Sequence, residues 1–391
     1  MGGWMLAAGG YGAAGQVEGG QEQRLKYHRI ESKQMESGEG IVMLNWRDLL
    51  LSEESLEEGE KPRFKSAKPL FAEWSSPLAR GGYVQIALDQ GEKTDRYERL
   101  YIDVNGDGKL ADETAVAAYR ADSRSTLFGP VKIILSSGKE SWEYHLFLEY
   151  YPGKQSNPAG TLKVASGCWY EGEIKVEGKA VNCKVFDYNV DGVFNDESLD
   201  TDQCDRVQIG QETGFVGESR EVEGKYFKME VAREGARVVV KPTEKVEWGQ
   251  IKVQEDMSFI TAVGEKGAAA ARPKKGMARL PVGKYQAQSW QIEKKDEKGD
   301  VWEAAGRVII KKNDYEVRAD KVGEWDMGEP LRAVMQITRK GEKSYEFKQQ
   351  IQGRHGELVL VTRNKTRPIP PVLHIRNEEG SYDKKISFEF G

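Results

Sequence analysis

The chain has 391 residues, 38% of them hydrophobic and 31% charged, with a formal net charge of −5. That length exceeds one ordinary core and sets an expectation of two to four domains. Basic residues scattered among nearly as many acids argue against a nucleic-acid partner, and no run nears the ~18 apolar residues of a transmembrane segment.

Near the start, Trp4, Met5, Leu6, Ala7 and Ala8 precede a Gly/Ala-rich stretch that reaches Gln16. This reads as the end of a secretory signal peptide, so a secreted, periplasmic or cell-surface location is expected. A plain Gly/Ala leader is the alternative. Residues 1–40, rich in Gly, Glu and Gln, are expected to be a signal-like leader and a loose arm. The stretch from Leu44 to Leu56 has helix-like spacing.

After it the pattern is β. Residues 83–88, 99–102, 131–135 and 144–148 are short runs rich in β-branched and aromatic side chains, separated by Gly- and Ser-rich breakers. Residues 171–176 and 179–186 alternate about Glu177 and Gly178, a strong hairpin signal. With a further strand at 205–209, these elements form an expected β domain over 41–215. The glycines of 210–217 read as an interdomain turn.

A β-sandwich-like domain is expected over 216–321, with strands at 226–231, 236–240 and 249–253 and another after Leu280-Pro281. The low-complexity stretch 267–276 reads as an exposed loop. A small immunoglobulin-like β domain is expected over 322–391, with strands at 331–337, 358–361, 372–375 and 385–390. Pro368, Pro370 and Pro371 mark an edge or a lead-in turn. The expected fold class is therefore mainly β, built of serial sandwich or immunoglobulin-like modules.

Two segments repeat one arrangement: Asp103, Asn105, Asp107, Gly108, and Asp187, Asn189, Asp191, Gly192. Each is DxNxDG, followed two places on by an apolar residue (Leu110 or Phe194) and then by an adjacent Asp-Glu pair. In a calcium loop, positions one, three and five supply side-chain oxygens, six is glycine, and seven gives a carbonyl, here from Lys109 or Val193. The twelfth position, normally a bidentate Glu, is Thr114 or Ser198. Asp112 and Glu113, or Asp196 and Glu197, are the expected substitutes. Strands precede both loops, so a helix–loop–helix sensor is excluded and an ion-closed β corner is expected, of weak extracellular affinity. The bland reading is that DxNxDG is simply good turn sequence.

Cys168, Cys183 and Cys204 form no CxxC or zinc pattern. Either Cys183 and Cys204 bridge across the second loop, or all three are buried small hydrophobes. His28, His145, His355 and His374 are isolated, and no nucleophile elbow, P-loop or dinucleotide fingerprint occurs. Trp142, Trp169, Trp248, Trp290, Trp302 and Trp325 read as core and strand-pair residues rather than a sugar platform.

The loop segments, together with the Leu280-Pro281-Val282-Gly283 turn and the closing residues 375–391, resemble motifs of uncharacterised exported β-rich proteins of environmental bacteria. The resemblance implies an exported, calcium-associated β protein without an established activity. The expectation is a non-catalytic protein that binds Ca2+ and acts on an extracellular polymer, a surface protein or itself. A secreted polysaccharide hydrolase with structural calcium, using two opposed carboxylates, is one alternative. A self-assembling surface or filament subunit is another.

Overall fold

The structure is a computed structural model. It describes residues 21–38, 43–54, 61–91, 94–153, 157–198, 200–210, 212–222, 225–243, 246–264, 267–308, 314–342 and 344–388. The signal-like segment and the last residues of the expected final strand lie outside these. The described chain is predominantly β, with seven sheets and a short helix at Ser32–Ser37. No described helix is long and apolar enough to cross a membrane.

The chain divides into two compact units, one of residues 1–198 with 202–245 and the other of 199–201 with 246–391. The boundary near 245 differs from divisions at 215 and 321, and the pairing explains why. Strand Arg237–Pro242 pairs on one side with Lys225–Val231 and on the other with Gln21–Arg24, so the residues after 216 complete the first unit. The 210–217 glycines accordingly lie inside that unit, around strand Glu212–Phe215.

Among the described residues, the first unit holds four antiparallel sheets. One runs Gln21–Arg24, Arg237–Pro242, Lys225–Val231, Ser219–Val222; the second runs Trp46–Leu49, Thr161–Ser166, Glu140–Tyr151, Thr126–Ser137, Arg120–Ala121. The third runs Glu212–Phe215, Arg206–Ile209, Lys179–Phe186, Cys168–Val176, Lys26–Arg29, and the fourth Leu70–Ser75, Tyr83–Gln90, Tyr97–Ile102, Val116–Ala117. All four contribute to one core that includes Leu25, Trp74, Ile86, Leu100, Leu146, Val185, Phe194 and Val238. In Glu140–Tyr151 every side chain from Tyr144 to Leu148 is buried. Such a strand is covered on both faces and loses the period-two signature.

Three local expectations need correcting. Residues 46–49, inside the helix-like stretch, form a strand paired with 162–165, because tertiary pairing overrides a short propensity signal. The "loose arm" includes two strands, Gln21–Arg24 and Lys26–Arg29, paired with 237–240 and 168–171 respectively. Gly267–Ala271 is a strand against Met257–Gly264, not an exposed loop, with Ala269 and Ala271 buried. Small side chains can pack closely there, and low complexity alone does not mean exposure. The hairpin at 177–178 stands as expected, both turn residues adopting positive φ (51° and 80°), the pattern of a type I′ turn.

In the second unit the largest sheet runs Gly267–Ala271, Met257–Gly264, Gly283–Lys295, Val301–Arg307, Leu358–Arg363, Tyr345–Gln352, Arg332–Arg339, with Asp314–Val317 also on Gly283–Lys295. Six residue pairs join 302–307 to 358–363, so the strands after 322 continue this sheet and form no separate immunoglobulin-like module. A three-stranded sheet of Met277–Pro281, Trp248–Lys252 and Gly323–Glu324 shares its core around Trp290 and Trp325. Val372–Arg376 and Asp383–Ser387 form a separate two-stranded pair.

Candidate functional site

Both DxNxDG loops begin one residue past the end of a strand, Tyr97–Ile102 for the first and Lys179–Phe186 for the second. Each opening aspartate is buried and gathers the loop backbone onto itself. Asp103 Oδ1 accepts from the Gly106 and Asp107 amides at 2.7 and 3.2 Å, and Oδ2 from Gly108 at 2.8 Å. Asp187 Oδ1 accepts from Val190 and Asp191 at 2.6 and 3.2 Å, and Oδ2 from Gly192 at 2.7 Å. The second acid of each motif then caps two residues on, Asp107 taking the Lys109 amide and Asp191 the Val193 amide, both at 2.9 Å. Two segments far apart in sequence thus fold to one hydrogen-bond scheme.

The scheme requires left-handed backbone at the fourth and sixth positions. Gly106 and Gly108 have φ of 74° and 83°; Val190 and Gly192 have 59° and 88°. A β-branched residue at positive φ is strained. Val190 is held there because its side chain is buried in the core and its carbonyl accepts from Trp74 Nε1 at 2.7 Å. Leu110 and Phe194, the apolar residues after the glycines, tuck inward as the motif implies. Leu110 packs with Phe71, Ala87 and Tyr101, and Phe194 meets Tyr144 and Tyr170 edge-on.

The two loops diverge in their supports. Glu113 turns back on its own loop, Oε1 accepting the Val104 amide at 2.9 Å. Glu197, its sequence counterpart, is exposed and pairs with Lys228 at 3.2 Å. In the second loop the equivalent amide, that of Tyr188, is taken by Asp205 Oδ1 at 2.9 Å, while Asp205 Oδ2 takes the Asp196 amide at 2.9 Å. Asp205 therefore does for the second loop what Glu113 does for the first. No spacing signal in the sequence marks it, because it arrives from the start of the next strand.

Burial separates the loops further. Asn105, Lys109 and Asp112 are exposed and Asp107 is half-buried, with Asn105 Nδ2 reaching Asp112 Oδ2 only at 3.5 Å. Asp187 and Asp205 are buried, and Asn189, Asp191 and Asp196 half-buried. Asn189 Nδ2 donates to Asp196 Oδ2 at 2.8 Å, which fixes the orientation of its amide. That leaves Asn189 Oδ1 buried with no hydrogen-bond partner, whereas Asn105 Oδ1 accepts the Asp107 amide at 2.8 Å. Tyr144 adds a buried donor to Asp187 Oδ2 at 2.6 Å.

The electrostatics follow the burial. Desolvation pushes the Asp103 and Glu113 carboxyls above their ordinary range, against the pull of loop amides. In the second loop desolvation raises Asp187, Asp191 and Asp205, and the Asp187 charge adds to the rise in the latter two. No protein-family model matches this chain, and neither a curated protein nor a solved structure shows significant similarity to it. The site is therefore read from its own chemistry.

That chemistry is an all-oxygen donor set in which carboxylates are crowded and partly desolvated. Among the described residues, no group of three His, Cys, Asp or Glu side chains converges as a preformed cation cage. Among the described residues of the loop, Asn189 Oδ1 is a buried side-chain oxygen that the internal hydrogen bonds leave unsatisfied. Asp187, Asn189, Asp191, Asp196 and the Val193 carbonyl could present oxygens to a hard cation in the second loop. Asp103, Asn105, Asp107, Asp112 and the Lys109 carbonyl are their counterparts in the first.

The other sequence candidates resolve as structural. Cys168, Cys183 and Cys204 are buried and form no disulfide, so no bridge clamps the second loop. Cys204 instead bonds the Ser198 backbone, with its Sγ 2.9 Å from the amide nitrogen and 3.0 Å from the carbonyl oxygen. Trp290 and Trp325 are fully buried in the second unit. His145 is buried, its Nδ1 2.5 Å from the Tyr27 hydroxyl. His374 is exposed and pairs with Asp383 at 2.8 Å.

Proposed function

We propose that this chain is a non-catalytic, exported β protein whose first unit is held by calcium, principally at the second DxNxDG loop. The observation that carries the reading is the buried, unpartnered Asn189 Oδ1 in a loop whose Asp187, Asp191 and Asp205 carboxyls are desolvated. Oxygen-only donors with no octahedral arrangement suit calcium better than magnesium, which demands rigid octahedral geometry. When bound, the ion would supply the positive charge that the crowded acids lack. Asp187 and Asp205 order the loop by accepting its amides, and Asn189, Asp191 and Asp196 complete the donor set. The weak affinity class fits calcium levels outside the cell, where the protein would engage a polymer, a surface partner or its own kind.

The test is thermal or urea unfolding with calcium against excess chelator. With Kd on the order of 10⁻⁴ to 10⁻³ M, roughly 10 mM calcium should add about 1.4–2.7 kcal/mol per site. Asp191→Ala should abolish most of that gain and Asp107→Ala little of it. Identical unfolding curves with and without calcium would remove the proposal.

A further inference from the structure

Independently of calcium, the far edge of the second unit's large sheet has the features of a strand-capture site. Among the described residues, strand Arg332–Arg339 ends that sheet and is paired on one side only, to Tyr345–Gln352. The register runs unbroken over eight pairs, from Arg332 with Gln352 to Arg339 with Tyr345. Natural proteins guard such edges with proline, a bulge or a mid-strand charge. This strand has none of these, and its charges sit only at its two ends.

Alternation places Ala333, Met335 and Ile337 on one face, beside Ile351 and Phe347 of the neighbouring strand. Met335 and Ile337 are 48% and 54% exposed, and Tyr345 at the end of that face is 53% exposed. An apolar stripe thus borders a row of backbone groups with no strand beyond it among the described residues.

The charges say what would fit. Arg332 donates to the Arg354 carbonyl at 2.8 Å, and Arg339 to the carbonyls of Gly341 and Glu342 at 3.0 and 3.2 Å. Neither forms an ion pair among the described residues, although nearby cations do. Lys340 and Lys348 share Glu346, and Arg354 pairs with Asp326. A second copy of the same edge would bring two more guanidiniums and no carboxylate. We infer that this edge captures an extended segment of another protein, with acidic residues seven positions apart and apolar residues on alternate positions between them. Directly opposed residues share a face, so that spacing sets one acid against each arginine.

The probe is a fluorescein-labelled peptide, Glu-Thr-Val-Thr-Val-Thr-Val-Glu, compared by anisotropy with its Lys-ended counterpart on the full chain. The Glu-ended peptide should bind roughly fivefold or more tightly, the scale of two exposed ion pairs. In the double variant Arg332→Glu/Arg339→Glu the preference should invert, and Met335→Lys should weaken both peptides by guarding the edge. Equal affinities, no binding of either peptide, or binding indifferent to Met335→Lys would overturn the inference. Self-association lost in Met335→Lys, without peptide binding, would also overturn it and give the edge to a second copy.

Discussion

Trp74 donates its indole N–H to the carbonyl of Val190 at 2.7 Å, which fastens the strained turn of the second loop to the core of the first unit. The Trp74 ring is 1% exposed and stacks on Tyr144, whose hydroxyl in turn holds Asp187. Trp74→Phe keeps an aromatic plane but leaves the Val190 carbonyl buried without its donor. The variant should lose about 2–4 kcal/mol of stability in urea unfolding. A loss under about 0.5 kcal/mol would show that the loop is not anchored there.

The two motif glycines should not tolerate alanine equally. Both have positive φ, so each substitution pays about 1 kcal/mol in backbone strain. At Gly108 a Cβ would meet open space, whereas at Gly192 it would collide with buried Leu135. Gly192→Ala should therefore cost at least about 1–3 kcal/mol more than Gly108→Ala, measured by chemical denaturation. Equal costs would contradict the close packing under the second loop.

Asp205→Asn separates the acid's two jobs. In chelator it removes one member of a repelling, desolvated set, at the expense of one amide contact, so stability should change little or rise. In calcium the same variant should show a smaller gain than the wild type, because the site has lost a negative charge. Asp112→Asn, at an exposed residue of the first loop, serves as the comparison and should leave most of the calcium gain in place. A calcium response unaltered by Asp205→Asn would take Asp205 out of the site's electrostatics.

His145 gives a pH signature of its own. Burial, reinforced by the nearby Arg29 charge, pushes its pKa down to about 4 from an ordinary value of 6.5. The folded state thus favours the neutral ring. Its contribution is intact above pH 6.5 and is lost as pH falls toward 4, where the unfolded chain binds the proton first. The raised carboxylates of the second loop act in the opposite sense, costing most when ionised at higher pH. The informative quantity is therefore wild type minus His145→Asn, which should shrink by about 3 kcal/mol between pH 7 and pH 4. A pH-independent difference would mean that the ring titrates normally.

The β character and most strands were legible in the sequence, since alternating β-branched runs between glycines signal a pleated, half-buried surface. Tyr83–Gln90, Cys168–Val176 and Leu358–Arg363 are found where the pattern placed them. The domain divisions were less legible, because pairings such as Gln21 with Val240 are long-range and leave no local trace. The loops were visible because Asx and Gly positions encode the turn itself. Their supports were not. Asp205, Tyr144 and Trp74 reach the second loop from other strands, and only the folded chain brings them there.

The strands Gln21–Arg24 and Lys26–Arg29 close two different sheets, against Arg237–Val240 and Cys168–Glu171. During synthesis they leave the ribosome before their partners, which follow only after much, or nearly all, of the first unit has been made. A nascent chain therefore carries open strand edges for most of that time, the condition under which β proteins misassociate. A fragment cut short before residue 237 would keep the second loop but lack the strand that meets Gln21–Arg24. Such fragments should accumulate as aggregates, and binding studies on this unit belong on chains that run to at least residue 245.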